Sequence, residues 1–341
     1  MTSSIYRLDR MQGRTIVEIM IALTIGMVIL VAISSLFIGN RQLFRANDDK
    51  TRLDEEGRLA LNIMATQVRM AGYGTLLSSD EGVSSQDPAS YMARMPVSHS
   101  SYTVPPVPGA PPQPNNAIRG CANGFADPAA DINSIACAAG STSDAFLVRR
   151  DVDQRSTQIA TGGALNTDCL GAAVVLSPPI PPTGKERGGV GPYFRIENRF
   201  FVRVNPVTGN PELYCQGNGN TLTGASFANP AQPIAENVEM MKIRYGISSI
   251  VPAPLQVVDQ FVTADFINAM PNTFAAGGVH PWDRVVSLRI CIVMRTANDF
   301  VATRPQTYRN CDDQQVLAPD RRLRGVFSTT IAIRNRSVGA T

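Results

Sequence analysis

The distribution of apolar residues divides the chain into unlike parts. Residues 15–38 read TIVEIMIALTIGMVILVAISSLFI, a run of 24 residues whose single charged side chain is Glu18. A helix of that length extends about 36 Å, which exceeds the ~30 Å hydrocarbon core of a bilayer. The pattern therefore predicts one membrane-spanning helix near the N-terminus. No second window of comparable length and apolarity follows it in the sequence.

The helical pattern continues beyond the predicted span. Residues 40–71 contain no proline, and apolar side chains recur at helical spacings among charges of both signs. The apolar positions are Leu43, Leu53, Leu61, Met64 and Val68. Gly72 and Gly74 predict the C-terminal end of this helix. Because an isolated amphipathic helix is only marginally stable, we expect its apolar face to pack on a downstream head.

The remainder of the chain predicts a head built from strands. Residues 73–142 form a proline-rich, loop-rich part, since seven prolines fall within positions 96–114. In residues 143–341, apolar and polar side chains alternate, which predicts an antiparallel sheet with one face buried against the helix. The clearest predicted strands are 145–150, 194–204, 212–216, 239–245, 284–295 and 325–334. The predicted fold class is α+β, a long N-terminal helix packed on a β-sheet head.

Composition agrees with a folded protein of ordinary charge. The 341 residues include 31 basic and 28 acidic side chains, a net charge of +3, and 44% of them are hydrophobic. So large an apolar fraction excludes intrinsic disorder, and so small a net charge argues against direct nucleic-acid binding. The mean hydropathy of −0.03 is an average over the apolar span and the polar head.

The sequence predicts no catalytic, cofactor-binding or metal-binding residues. It contains no nucleophile elbow, P-loop or dinucleotide fingerprint. It also lacks a C-x-x-C pair, and its two histidines, His99 and His280, stand apart from any cysteine pair. We therefore predict that the protein is not an enzyme, although paired carboxylates need no fixed spacing in sequence.

The cysteines indicate an oxidising compartment. There are six of them, all following the predicted span, as expected for disulfides in an exported domain. Six cysteines allow fifteen pairings. We favour bonds between neighbours in sequence, because strand pairing is expected to close each such loop. The favoured pairs are Cys121 with Cys137, Cys169 with Cys215, and Cys291 with Cys311.

A short polar segment precedes the apolar span and ends in a glycine. The sequence MTSSIYRLDRMQG ends at Gly13, and Glu18 lies five residues further on. This arrangement resembles the class III signal peptide of type IV prepilins, in which the helix carries a glutamate at its fifth mature position. The resemblance implies a leader of residues 1–13, cleavage between Gly13 and Arg14 by the prepilin peptidase, and N-methylation of Arg14. It departs from the family at Arg14, where Phe or Met is usual.

Glu18 has two interpretations at this stage. A carboxylate inside a bilayer costs at least about 2.5 kcal/mol at the centre and less near an end. The resemblance implies that Glu18 meets the positively charged N-terminal amine of a subunit and sets axial register in a fibre. The alternative is a signal anchor that tolerates one glutamate near its end.

The end of the stem adds a second resemblance. The segment EEGRLALNIMATQVRMAGYG is similar to the PilW family of minor type IV pilins, and so are segments of the C-terminal half. In the stem the similarity is carried by Gly57, Arg58, Ala60, Leu61, Arg69, Ala71, Gly72 and Tyr73. In the head it is carried by residues 168–171, 198–215, 236–247, 284–296 and 321–336.

These resemblances imply a structural protein of pilus assembly. Residues 14–39 would span the inner membrane, residues 40–72 would continue the helix into the periplasm, and the protein would later enter the pilus. The family takes part in priming, in the tip complex, in twitching motility, in adhesion and in DNA uptake. Implied partners are other minor pilins, the major pilin, a tip adhesin, the prepilin peptidase and the inner-membrane assembly platform. The alternatives are a minor pseudopilin of type II secretion and a signal-anchored periplasmic binding protein or enzyme.

Overall fold

A computed structural model shows a long helix followed by strands in two main sheets, so the predicted α+β class is confirmed. The structure describes residues 15–73, 117–130, 135–140, 142–152, 167–174, 176–177, 193–221, 226–248, 257–271, 281–299 and 301–336. The prolines at positions 96–114 and both histidines lie outside these ranges.

Helix α1 spans Ile16–Met70, 55 residues, and only its second half packs on the head. The buried side is a stripe with helical spacing, made by Leu53, Gly57, Ala60, Leu61, Met64, Ala65 and Val68. Four of the five predicted stem positions lie in this stripe. The prediction for Leu43 is wrong, because its side chain is 65% exposed and the head covers α1 only from Asp49 onward.

The C-terminal end of α1 is tied to the head by backbone hydrogen bonds. Gly72 has a φ of +74°, a left-handed conformation that glycine adopts without strain. In that conformation its N–H donates to the carbonyl of Arg149 at 2.9 Å. The Asn335 side-chain amide donates to the carbonyls of Arg69 and Ala71 at 3.1 and 3.2 Å. Gly72 therefore ends the helix as predicted, while Gly74 lies outside the described residues.

The first sheet contains six antiparallel strands. Their bounds are β1 Ile118–Cys121, β2 Ala145–Val152, β3 Leu176–Ser177, β4 Tyr193–Val204, β5 Pro211–Gly217 and β6 Gln232–Glu236. The strand order is β1-β2-β4-β5-β6, and β3 pairs with β4. The predicted hairpin is present as β4 and β5. Strand β1 lies in the part that the sequence predicted to be loop-rich. It was not predicted as a strand because four residues are too few to show an alternating pattern.

The second sheet lies after the first in sequence. Its strands are β7 Val238–Ile247, β8 Gln260–Val262, β9 Val285–Arg295 and β12 Arg324–Ala332, in the order β12-β9-β7-β8. A short helix α2, Ala264–Asn268, follows β8. A separate hairpin contains β10 Thr307–Arg309 and β11 Gln315–Leu317. The sequence predicted one sheet; the structure divides the strands between two because their pairing depends on long-range contacts.

One hydrophobic core joins α1 to both sheets. It contains Met64 and Val68 from α1, Phe200 from β4, and Ile243 and Ile290 from the second sheet. A smaller cluster covers the opposite face of the first sheet, where Phe125 and Ile135 pack against Phe201 and Tyr214. The first sheet is therefore buried on both faces, whereas the sequence predicted burial on one face. The covering residues come from loops, which carry no periodic signal.

Gly57 allows close contact between α1 and β12. A Cβ atom at Gly57 would lie 2.6 Å from two ring carbons of Phe327, closer than van der Waals contact permits. A Cβ at Gly325 would lie 2.9 Å from a carbon of the same ring. The Phe327 ring is thus held between two glycines, one on each element.

We expect Gly57→Ala to lower the stability of the head. Alanine favours a helix over glycine by about 1 kcal/mol, but overpacking costs about 1–3 kcal/mol because the Phe327 ring must move. The expected net loss is about 1 kcal/mol, measured by thermal unfolding of the full chain in detergent. Gly39→Ala is the matched control, since nothing lies within 4 Å of a Cβ at that position on the same helix. Equal stability changes in the two variants would contradict this packing account.

Candidate assembly surface

The first half of α1 presents a continuous apolar surface. Every large apolar side chain from residue 16 to residue 44 is between 49% and 78% exposed. By length and composition this helix is able to cross a membrane. At about 1.5 Å per residue, the apolar run from Ile16 to Ile38 extends roughly 35 Å. A surface of this size requires lipid or other apolar helices around it.

Glu18 lies in the first turn of α1, close to the residue that caps it. Thr15 is the N-cap, and its hydroxyl oxygen accepts a hydrogen bond from the Glu18 backbone N–H at 3.3 Å. The spacing Thr-x-x-Glu is that of a capping box, a signal that was present in the sequence but missed there. A carboxylate at this end also interacts favourably with the helix dipole. Glu18 is exposed, as are the large apolar side chains on this half of the helix, while Gly13 and Arg14 lie outside the described residues.

The head contains a buried ionic group that the sequence analysis did not predict. Glu197 on β4 accepts from Nε of Arg149 and from Nε of Arg199, each at 2.6 Å, and all three side chains are almost fully buried. Arg199 also donates to the carbonyls of Pro128 and Ala130 and stacks over the ring of Phe227. These contacts connect the centre of the first sheet to the loops that cover it.

Two opposing effects act on the ionisation of Glu197. Burial raises its pKa, but the guanidinium groups of Arg149 and Arg199 outweigh burial and hold the pKa below its usual range. Glu197 is therefore charged at neutral pH. The sequence shows that Glu197 and Arg199 are two positions apart and so lie on one face of β4. No pattern in the neighbouring residues indicates that loops cover this face.

Asp168 fixes a second loop against the first sheet. Its carboxylate accepts from the backbone N–H groups of Leu170 at 2.8 Å, Ala172 at 3.0 Å and Gly219 at 2.8 Å. A side chain at Gly217 or Gly219 would clash with this carboxylate. The glycines at positions 217 and 219 therefore make room for Asp168.

The six cysteines form three disulfides in the structure. They are Cys121–Cys137, Cys169–Cys215 and Cys291–Cys311, with Cα–Cα distances of 5.2, 6.4 and 5.7 Å. These are the pairs favoured from sequence. The first ties β1 to the covering loop, the second ties the Asp168 loop to β5, and the third ties β9 to the segment between β10 and β11.

The described residues provide no evidence of a metal centre. Within those ranges, no group of three or more His, Cys, Asp or Glu side chains is arranged to hold a metal ion. The chemistry that the described surface offers is instead association, through the apolar half of α1 and the faces of the head.

Comparison with known proteins agrees with that interpretation. A family model described as Type IV Pilus-assembly protein W (PilW) matches residues 199–335, from β4 to the last described turn. A solved structure of a type IV-like pilin from Thermus thermophilus is similar at 12% sequence identity and a TM-score of 0.25. The match covers 57% of this chain and 80% of that one. No curated protein matches the chain in sequence. Residues 199–335 therefore match the PilW family model, which confirms over that part of the chain the resemblance that the sequence motifs indicated.

Proposed function

We propose that this protein is a minor type IV pilin of the PilW kind, a structural subunit without catalytic activity. One observation carries the proposal: a head matching the PilW family follows a helix that, over residues 16–38, exposes mainly apolar side chains and a single charged group, Glu18. Such a helix is suited to two environments in turn. Lipid covers it before assembly, and the apolar helices of neighbouring subunits cover it afterwards.

The proposal includes a maturation step and two locations. The prepilin peptidase removes residues 1–13 by cutting between Gly13 and Arg14, and the new amine of Arg14 is methylated. Residues 14–39 then hold the protein in the inner membrane, with residues 40–72 and a head of residues 73–142 and 143–341 in the periplasm. Three disulfides support an oxidising compartment for the head. After assembly the protein is part of the extracellular pilus.

The proposed partners follow from the same role. Other minor pilins, the major pilin and a tip adhesin contact the protein in a priming and tip complex, and the inner-membrane assembly platform inserts it. Through that complex the protein supports twitching motility and adhesion. We assign it no nucleic-acid ligand, in keeping with its small net charge.

The intact mass of the protein purified from membranes tests the maturation step. We expect a chain that lacks residues 1–13, with or without one added methyl group. Gly13→Val is the control variant and should retain the leader, because the peptidase recognises a small residue at the cut. A wild-type chain that keeps residues 1–13 would contradict the proposal and favour a signal-anchored binding protein or enzyme.

Deletion of the gene separates the pilus from type II secretion. We expect loss of twitching with normal exoprotein secretion. Normal twitching with impaired secretion would instead identify a minor pseudopilin, which shares the signal and the helix.

A further inference from the structure

A narrow groove runs between the stem and one edge of the first sheet. It is lined by Glu56 and Leu59 of α1 and by residues 233–236 of β6, and its volume is about 260 Å³. Small-molecule pockets are usually about 300–1,000 Å³, so this groove is better suited to a single long side chain. Leu59 at its wall is 57% exposed, whereas Ala60 next to it on the stem is buried in the core.

The edge strand beside the groove is poorly suited to pairing with another strand. Among the strands that the structure describes, β5 is the single partner of β6, and β6 carries Pro233, which has no N–H to donate. Its register with β5 shifts between Leu213 and Tyr214. Proline and irregular register are features that block strand addition. Recognition at this edge therefore depends on side chains and not on backbone pairing.

Two carboxylates stand at the groove, and the charge of Arg52 on α1 acts on one of them, Glu56. Neither Glu56 nor Glu236 forms an ion pair or side-chain hydrogen bond with any residue that the structure describes. Partial burial and the neighbouring charge of Glu236 raise the pKa of Glu56, and Arg52 offsets this only in part. Like charges that face each other across an apolar wall destabilise the free protein. Such an arrangement is typical of a surface that is completed by a partner.

We propose that this groove, which we call the α1–β6 groove, binds a Lys or Arg side chain on the helical stem of a different pilus subunit. The proposal rests on the proposed function. The aliphatic part of the basic side chain would lie along Leu59, Ile234 and Ala235, and its charged end would lie between the two carboxylates. A neighbouring stem is the appropriate source, because the groove runs beside α1 and assembly places stems side by side.

A second copy of this chain is a poorer occupant. Its own stem carries Lys50 and Arg52, but Asp48, Asp49, Asp54 and Glu55 lie within a few residues of them. Those acids would be brought close to Glu56 and Glu236, which adds repulsion between like charges. Charge complementarity therefore favours a subunit whose stem is basic at this level.

Charge substitutions test the groove. Glu56→Gln should lower the amount of the chain in sheared pili several-fold. The head of this variant should resist urea at least as well as the wild type, because the repulsion between Glu56 and Glu236 has been removed. Glu56→Lys with Glu236→Lys should nearly abolish incorporation. Glu55→Lys is the control, since Glu55 is exposed on the same helix and outside the groove lining. Incorporation of the double variant at the wild-type level would overturn the proposal.

Photo-crosslinking identifies the occupant. With the photoreactive residue benzoylphenylalanine replacing Leu59, we expect a cross-link to a stem peptide of another pilus subunit that contains Lys or Arg. The same probe replacing Val207, which is exposed on the β4–β5 hairpin, should not give this product. A cross-link only to lipid, to a second copy or to nothing would overturn the inference. Absence of the wild-type chain from sheared pili would instead contradict the proposed function. It would also contradict the inference, which rests on that function.

Discussion

Glu197→Gln is expected to destabilise the head by about 3–5 kcal/mol, the cost of removing one partner from a buried ion pair. The loss is large because Arg149 and Arg199 would remain charged and buried without their counterion. Loss of the contacts to this carboxylate would also loosen the loops that Arg199 holds through Pro128 and Ala130. The change is nearly isosteric, so a packing defect would not explain it.

Denaturation followed by the fluorescence of Trp282 measures this effect. Trp282 is the single tryptophan of the chain, and it is buried against Tyr245 in the head. Asp313→Asn is the control, because it removes the exposed pair between Arg309 and Asp313, whose side chains are 70% and 84% exposed. Surface pairs contribute about 0–1 kcal/mol. A loss below about 1 kcal/mol for Glu197→Gln would show that the buried group is not a stabilising contact.

The same residue predicts a dependence of stability on pH. The folded-state pKa of Glu197 is lowered from the ordinary value of 4.5. A lowered carboxyl pKa contributes stability that is present above the unfolded-state pKa and is lost as the pH falls through the folded-state pKa. Stability of the wild type should therefore fall below about pH 4.5, and this part of the decrease should be absent in Glu197→Gln. Parallel pH profiles for the two proteins would contradict the assignment.

Substitution of Glu18 is expected to have the largest effect on assembly. Glu18→Ala should be processed like the wild type but should be almost absent from sheared pili. In our proposal the carboxylate pairs with the N-terminal amine of a subunit among apolar helices, where an unpaired charge is costly. Intact mass and immunoblots of sheared fibres measure processing and assembly separately.

Two further variants separate charge from capping. Glu18→Gln keeps a side chain that is suited to a capping box but removes the charge. Thr15→Ala removes the N-cap, at a cost of about 1 kcal/mol in helix stability, but leaves the carboxylate in place. We expect Glu18→Gln to fail in assembly and Thr15→Ala to assemble. The reverse result would show that Glu18 acts by capping α1 and not by pairing with an amine.

The sequence identified the parts of the molecule that are encoded locally. The apolar run at residues 15–38, the helical spacing of Leu53 to Val68 and the stop at Gly72 all depend on neighbours within a few turns. The long strands β4, β7 and β9 were predicted for the same reason, since an alternating pattern extends over most of each strand. The predicted pairing of neighbouring cysteines agrees with the structure, in which the bonded residues are 16, 46 and 20 positions apart in sequence.

Other features are decided only when distant segments meet. Contacts between residues far apart in sequence decide three features. They are the division into two sheets, the place of β1 at a sheet edge, and the burial of Arg149, Glu197 and Arg199. The α1–β6 groove belongs to the same class, because Glu56 and Glu236 are 180 positions apart in the chain. Local periodicity reports which side of an element is apolar, but it does not report what covers that side. Sequence therefore determined a helix long and apolar enough to span a membrane, joined to a β-rich, disulfide-bonded head. Tertiary packing decided which charges are buried and which remain available to a neighbour.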